Sequence, residues 1–141
     1  MAKLSVNGID SVIYGAAFIT PPDDVKVEML EAQAEVVERV QKEKAKAYKV
    51  KDSGLTLESI RHGKPWTTKD GKTMYVYPQG TRKRGGREIR NGEIAFLNEY
   101  GVPKRGIAAR PFIRDANEEC ADEAVQKAYK VYDDYLNKKG L

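Results

Sequence analysis

Between Val27 and Val40 the apolar residues recur at steps of three and four, as Val27, Leu30, Ala34, Val37 and Val40, while Glu28, Glu31, Glu35, Glu38 and Lys42 take other positions. That spacing fits the turn of an α-helix and no strand, so it commits a large part of the chain to one amphipathic helix. Its start is marked by Thr20-Pro21-Pro22-Asp23-Asp24. Thr20 is suited to cap, a proline fits the first turn, where its missing N–H costs nothing, and the aspartates meet the positive end of the helix dipole. A helix from Pro22 to Tyr48 is roughly 40 Å long, enough to span a small domain. Ser53-Gly54 is expected to break it.

A second stripe closes the chain. Pro111 stands at a first turn, followed by Phe112, Ala116, Cys120, Ala124, Ala128, Val131 and Tyr135 at helical steps, with Lys138, Lys139 and Gly140 at the end. Between the two helices the signals are shorter. Leu57 and Ile60, within Leu55-Thr56-Leu57-Glu58-Ser59-Ile60, fit one helical turn or the entry to a strand. Lys69-Asp70-Gly71-Lys72 separates Trp66-Thr67-Thr68 from Thr73-Met74-Tyr75-Val76-Tyr77 and predicts a hairpin, because Asp-Gly supplies the positive φ angles of a tight turn. Residues 78 to 92 are rich in Gly and Arg, with Ile89 as their apolar residue, and read as an exposed, mobile loop. Ile94 to Tyr100 suits a buried strand or a two-turn helix, which Gly101 ends. Residues 1 to 19 show no regular period.

Strand and helix do not alternate as a parallel sheet would require. The expected fold class is α+β: two long helices packed on a small antiparallel sheet containing a hairpin, with a long basic loop and open sheet edges. The 141 residues suffice for one core, so residues 1 to 141 are expected to form a single domain.

The mean hydropathy of -0.63 and the lack of an apolar run near the length of a membrane span argue against a membrane protein. The opening Met1-Ala2-Lys3-Leu4-Ser5-Val6-Asn7-Gly8 has no continuous apolar region of a secretory signal, and a single cysteine, Cys120, points to a reducing cytoplasm. Reactive side chains are few. His62 is the one histidine and reads as a partly exposed loop residue beside Gly63 without a partner, and Cys120 as a small apolar filler on the last helix. The carboxylates Glu28, Glu31, Glu35 and Glu38 read as a solvated helix face. Gly85-Gly86 is followed by Arg87-Glu88 and matches no phosphate loop. The reading is therefore a non-enzyme with no catalytic residue, no metal and no cofactor.

Charge is local. Net charge is only +4, yet Arg82, Lys83, Arg84, Arg87 and Arg90 fall in a short span with Glu88 as the acid among them. Such a segment suits contact with a neighbouring subunit, contact with nucleic-acid phosphates, or plain solvation. Tyr75 and Tyr77 alternate along a strand, where they fit cross-strand packing or base stacking.

Two stretches carry a family likeness: Ser53-Gly54-Leu55-Thr56-Leu57-Glu58-Ser59-Ile60, and Glu99-Tyr100-Gly101 followed after a short loop by Ala109-Arg110-Pro111-Phe112-Ile113-Arg114-Asp115-Ala116. They resemble the minor tail-component and neck family of long-tailed, lambda-like bacteriophages. There a helix precedes a "TG-x-L-x-x-S-I" segment, a hairpin follows, and an "E-x-G-T" turn leads to "A-R-P-F-L-x-P-A" opening the last helix. Asn7-Gly8-Ile9-Asp10 is similar to the "x-G-l-d" near the start of such proteins. Ser53 stands where threonine is usual, Val102 where the turn continues with threonine, and Asp115 where proline is frequent.

The matching residues have physical tasks: Gly54 and Gly101 for backbone freedom, Leu55 and Ile60 as apolar positions, Glu99 in the turn motif, Pro111 to start the helix and Phe112 as a core anchor. Arg110 sits at the unfavourable end of a helix dipole and is expected to find a carboxylate or carbonyl, most simply as an ion pair, within the chain or across a subunit boundary. The resemblance implies a virion subunit at the head-tail joining or tail-completion region, assembled in the bacterial host cytoplasm as a homo-oligomeric ring, by preference a hexamer. Its neighbours would be connector and tail proteins, and its basic loop would meet passing DNA without reading its sequence. The rival reading is a nucleic-acid-binding protein using residues 82 to 90.

Overall fold

In a computed structural model the described residues are 19–50, 53–69 and 71–140. The readings of residues 1 to 18, including Asn7 to Asp10, lie outside them. The fold is α+β. Helix α1 covers Asp23–Ala47, α2 Ser53–Ser59, α3 Asn91–Tyr100 and α4 Phe112–Lys138. The strands are β1 Ile60–His62, β2 Trp66–Thr68, β3 Gly71–Thr73, β4 Val76–Pro78, β5 Thr81–Arg84 and β6 Arg87–Arg90.

Helix α1 begins as its charges dictate. Asp23 and Asp24 occupy the first turn, Lys44 and Lys46 the last. The cap position is Pro22, whose carbonyl accepts the N–H of Lys26 at 3.0 Å, so the helix starts later than a Thr20 cap would place it. It ends before Ser53-Gly54. Lys49 takes a positive φ of 50°, and the N–H of Val50 returns to the carbonyl of Ala45 at 3.1 Å, closing the helix in a left-handed turn. Ser53 and Gly54 open α2 instead, and Leu55 to Ile60 supplies both options of the sequence reading, a short helix and then a strand.

Helices α1 and α4 run antiparallel, as their side-chain pairs show. Arg39 meets Glu123 at 2.7 and 2.8 Å, Gln41 Nε2 donates to Asn117 Oδ1 at 3.0 Å, Lys44 meets Glu119 at 2.6 Å, and the Tyr48 hydroxyl donates to Asp115 Oδ2 at 2.6 Å. From Arg39–Glu123 to Tyr48–Asp115 the numbers rise on one helix as they fall on the other. Small residues on α4 allow the close approach: Val36 and Val40 pack on Ala116, Cys120 and Ala124. Gln41, expected on no stripe, is buried among them with Val36. Burial also pushes the Cys120 thiol up, which keeps it protonated and apolar in behaviour.

The second cluster, Ala45, Val50, Ile60, Ala95 and Phe112, lies where the ends of both long helices meet α3 and β1. Phe112 and Ile60 are completely buried there. Each such side chain contributes about 1.5–3 kcal/mol of burial.

The sheet differs from the single small sheet expected. Among the described residues there are three antiparallel two-stranded ribbons, β1 with β4, β2 with β3, and β5 with β6. The expected hairpin is present as β2 and β3, but the chain then leaves that partner, and Val76–Pro78 pairs with β1 as a separate strand. Tyr75 and Tyr77 therefore do not share one strand: Tyr75 meets Trp66 edge-on at 4.7 Å, and Tyr77 lies opposite Arg61. His62 is on β1, not in a loop, and has a partner after all, since Glu38 on α1 contacts both its Nδ1 and its backbone N–H at 2.5 Å. Glu38 thus departs from the solvated face assigned to it.

Candidate interaction surface

Residues 78 to 92 form a folded arm and not a mobile loop. Gly85 and Gly86 have φ angles of 58° and 78°, both positive, as the two-residue turn between right-twisted strands requires. Arg84 pairs with Arg87, Lys83 with Glu88, Arg82 with Ile89 and Thr81 with Arg90. The apolar count misled because a ribbon satisfies its inner backbone groups by cross-strand pairing and needs little buried face.

The arm is fixed at its root by an arginine. Arg82 Nε donates to Asn91 Oδ1 at 2.6 Å and Nη2 to the buried Thr56 Oγ1 at 3.2 Å, while Asn91 Nδ2 donates to the carbonyl of Gln79 at 2.7 Å. Of the basic set, Arg82 is thus turned into the body, and Lys83, Arg84, Arg87 and Arg90 are exposed. Side chains alternate along each strand, so Thr81, Lys83, Glu88 and Arg90 share one face, on which the Thr81 hydroxyl donates to Glu88 at 2.7 Å.

That face continues into an apolar one on α3. Helix α3 buries Asn91, Ile94, Ala95, Asn98 and Glu99, which turns Phe96, Leu97 and Tyr100 outward at 60%, 50% and 66% exposure. Phe96 and Tyr100, one turn apart, hold their ring centroids 4.7 Å apart. Phe96 and Leu97, with Tyr77, border a groove of about 860 Å³ whose wall includes Pro78, Gly80, Thr81 and Arg90. This aromatic face is not legible in the sequence because so short an apolar run suits a strand as well as a helix. Read as a helix, its period puts Ile94, Ala95 and Asn98 inside and Phe96, Leu97 and Tyr100 outside.

Behind the face lies a junction built by the motif residues. Glu99, almost wholly buried, reaches from the end of α3 to the start of α4, where Oε2 accepts the N–H of Ile113 at 2.9 Å and Oε1 that of Arg114 at 3.0 Å. Pro111 holds the cap position and offers no side-chain acceptor, so Glu99 satisfies two of the helix's first unpaired donors from another element. Gly101 follows with φ 72° and ψ 179°, and a Cβ there would lie 2.7 Å from the carbonyl oxygen of Ile107 and the nitrogen of Ala109. No other residue fits.

Other motif residues have different tasks from those expected. Gly54 lies inside α2 with open space around it and no positive φ, so backbone freedom is not its role. Leu55 is 53% exposed. Arg110 finds a carbonyl and not a carboxylate: its guanidinium donates to the oxygen of Lys49, the left-handed residue that ends α1. Asp115 accepts from Tyr48 and from Arg114 Nε at 3.1 Å. The Tyr48 hydroxyl chiefly, then the Arg114 guanidinium, hold its carboxyl below the usual range, against the opposing effect of burial.

Among the described residues no cluster of three or more His, Cys, Asp or Glu is arranged to hold a metal, and no helix is long and apolar enough to cross a membrane. No family model, curated protein or solved structure matches this chain.

Proposed function

We propose that this chain is a non-enzymatic structural subunit of a tailed-phage or prophage virion, at the head-tail joining or tail-completion region, assembling as a ring. The observation that carries the reading is the junction between the two parts of the second family-like stretch. Glu99 and Gly101 of its turn close on Ala109, Ile113 and Arg114 of its helix-opening part, so residues that resemble the neck family act together at one place. Along α3 the molecule presents a basic arm anchored by Arg82 and an aromatic face, a combination suited to binding protein and not to chemistry. Head-to-tail contacts through such a surface close into a ring when the rotation permits. The family resemblance favours six copies, neighbouring connector and tail proteins, a place in the virion and assembly in the host cytoplasm.

A second reading, nucleic-acid binding, is favoured by the exposed Lys83, Arg84, Arg87 and Arg90 beside the half-exposed Tyr77. Light scattering of the purified 15.8 kDa subunit across concentration separates the two. Assembly predicts a discrete larger mass that falls when the four exposed cations are changed to Ser. A strict monomer that binds duplex DNA with a steep salt dependence supports the nucleic-acid reading instead.

A further inference from the structure

Among the described residues, the outer face of α4 carries a second stripe that lies outside the helix's buried line. Glu118, Asp122, Val125 and Tyr129 follow one another at steps of four, three and four, the spacing that keeps side chains on one line of a helix. All four are exposed, Val125 at 41% and Tyr129 at 55%, and the buried line of α4 runs through Ala116, Cys120, Ala124 and Ala128 instead. The neighbouring acids Glu119 and Glu123 already answer Lys44 and Arg39 on α1, whereas Glu118 and Asp122 lie on the outward line.

The stripe is acidic toward the start of the helix and aromatic beyond it. The arm and α3 present the complement, with Lys83 and Arg90 on one face of the ribbon, where Glu88 accepts from Thr81, and Phe96, Leu97 and Tyr100 on the adjoining helix. Opposite charges set register and suppress wrong partners, while the aromatic groups supply the apolar area of contact. We infer that the arm-and-α3 face of one copy docks on the Glu118-Asp122-Val125-Tyr129 stripe of a second copy of this chain. This rests on the assembly reading above and names the two surfaces that meet.

The test reverses each charged set and then both together. Lys83→Glu with Arg90→Glu is expected to weaken self-association about tenfold or more, and Glu118→Lys with Asp122→Lys to do the same, because each places like charges face to face. The combined variant keeps the net charge of +4, so its recovery of wild-type association would reflect the pairing and not total charge. All four positions are exposed, and circular dichroism checks that the fold is kept. Recovery in the combined variant supports the inference. Single sets without effect, a combined variant no better than the weaker set, or a wild type monomeric at every concentration overturns it. A wild type that associates but ignores all four substitutions removes this contact and leaves the assembly reading, whereas recovery in a particle no larger than a dimer keeps the contact and removes the ring.

Discussion

The α3–α4 junction and the β5–β6 arm lie at opposite ends of α3 and are built on opposite terms. At the junction the groups that join the two helices are matched: Glu99 caps α4, Gly101 leaves room where a Cβ would meet the backbone of three later residues, and Phe112 is fully enclosed. The arm is anchored inward by Arg82, opposite the half-buried Ile89, and leaves its other cations exposed. The junction is where stability is concentrated, and the arm is where the molecule has chemistry left over for a partner. Rigid support beneath an exposed surface lowers the entropy lost when that surface binds.

Substitutions should therefore divide sharply between the two regions. Phe112→Ala is expected to cost about 3–5 kcal/mol, the range for truncating a buried aromatic ring, read as a fall in the urea midpoint. Gly101→Ala should follow at about 3 kcal/mol, since it combines a glycine-only backbone angle with a Cβ forced against the backbone of residues 107 to 109. If it unfolds at the wild-type midpoint, the junction is looser than described. Glu99→Ala should cost about 1–2 kcal/mol by removing a cap, and amide exchange at Ile113 and Arg114 should quicken more than elsewhere in α4.

A subtler effect is expected from pH. Asp115 has its folded carboxyl held below the ordinary range, so the stability it gives is present above that range and is lost as pH falls through the lowered folded value. The acid arm of a pH–stability curve should flatten in Asp115→Asn, and Tyr48→Phe should remove much of the same dependence. The smallest change should come from the arm: Arg87→Ser is expected to shift stability by no more than about 0.5 kcal/mol. A large loss there would show that the arm belongs to the core after all.

The sequence went furthest where a single period decided the matter. The stripes Val27 to Val40 and Phe112 to Tyr135 yielded both long helices, the α+β class and most of the α4 core, because burial on a helix repeats every three or four residues whatever it packs against. Glu99, Gly101, Pro111 and Phe112 were also visible as special positions. Their tasks were not. A carboxylate capping a helix from another element, or an arginine holding the carbonyl of Lys49, depends on residues far apart in sequence that only the folded chain brings together.

The arm shows the reverse case, since Gly85-Gly86 held a turn signal that the polar composition around it obscured. Composition reports what can be buried and not what can pair. The choice of helix for Ile94 to Tyr100, and with it the outward aromatic face, was settled only by tertiary packing, because so short an apolar run satisfies either period until Phe112 and Ile60 claim one side of it. Local periodicity thus determined the long elements of this protein. Packing between distant residues decided which of the short ones look inward and which are left facing out.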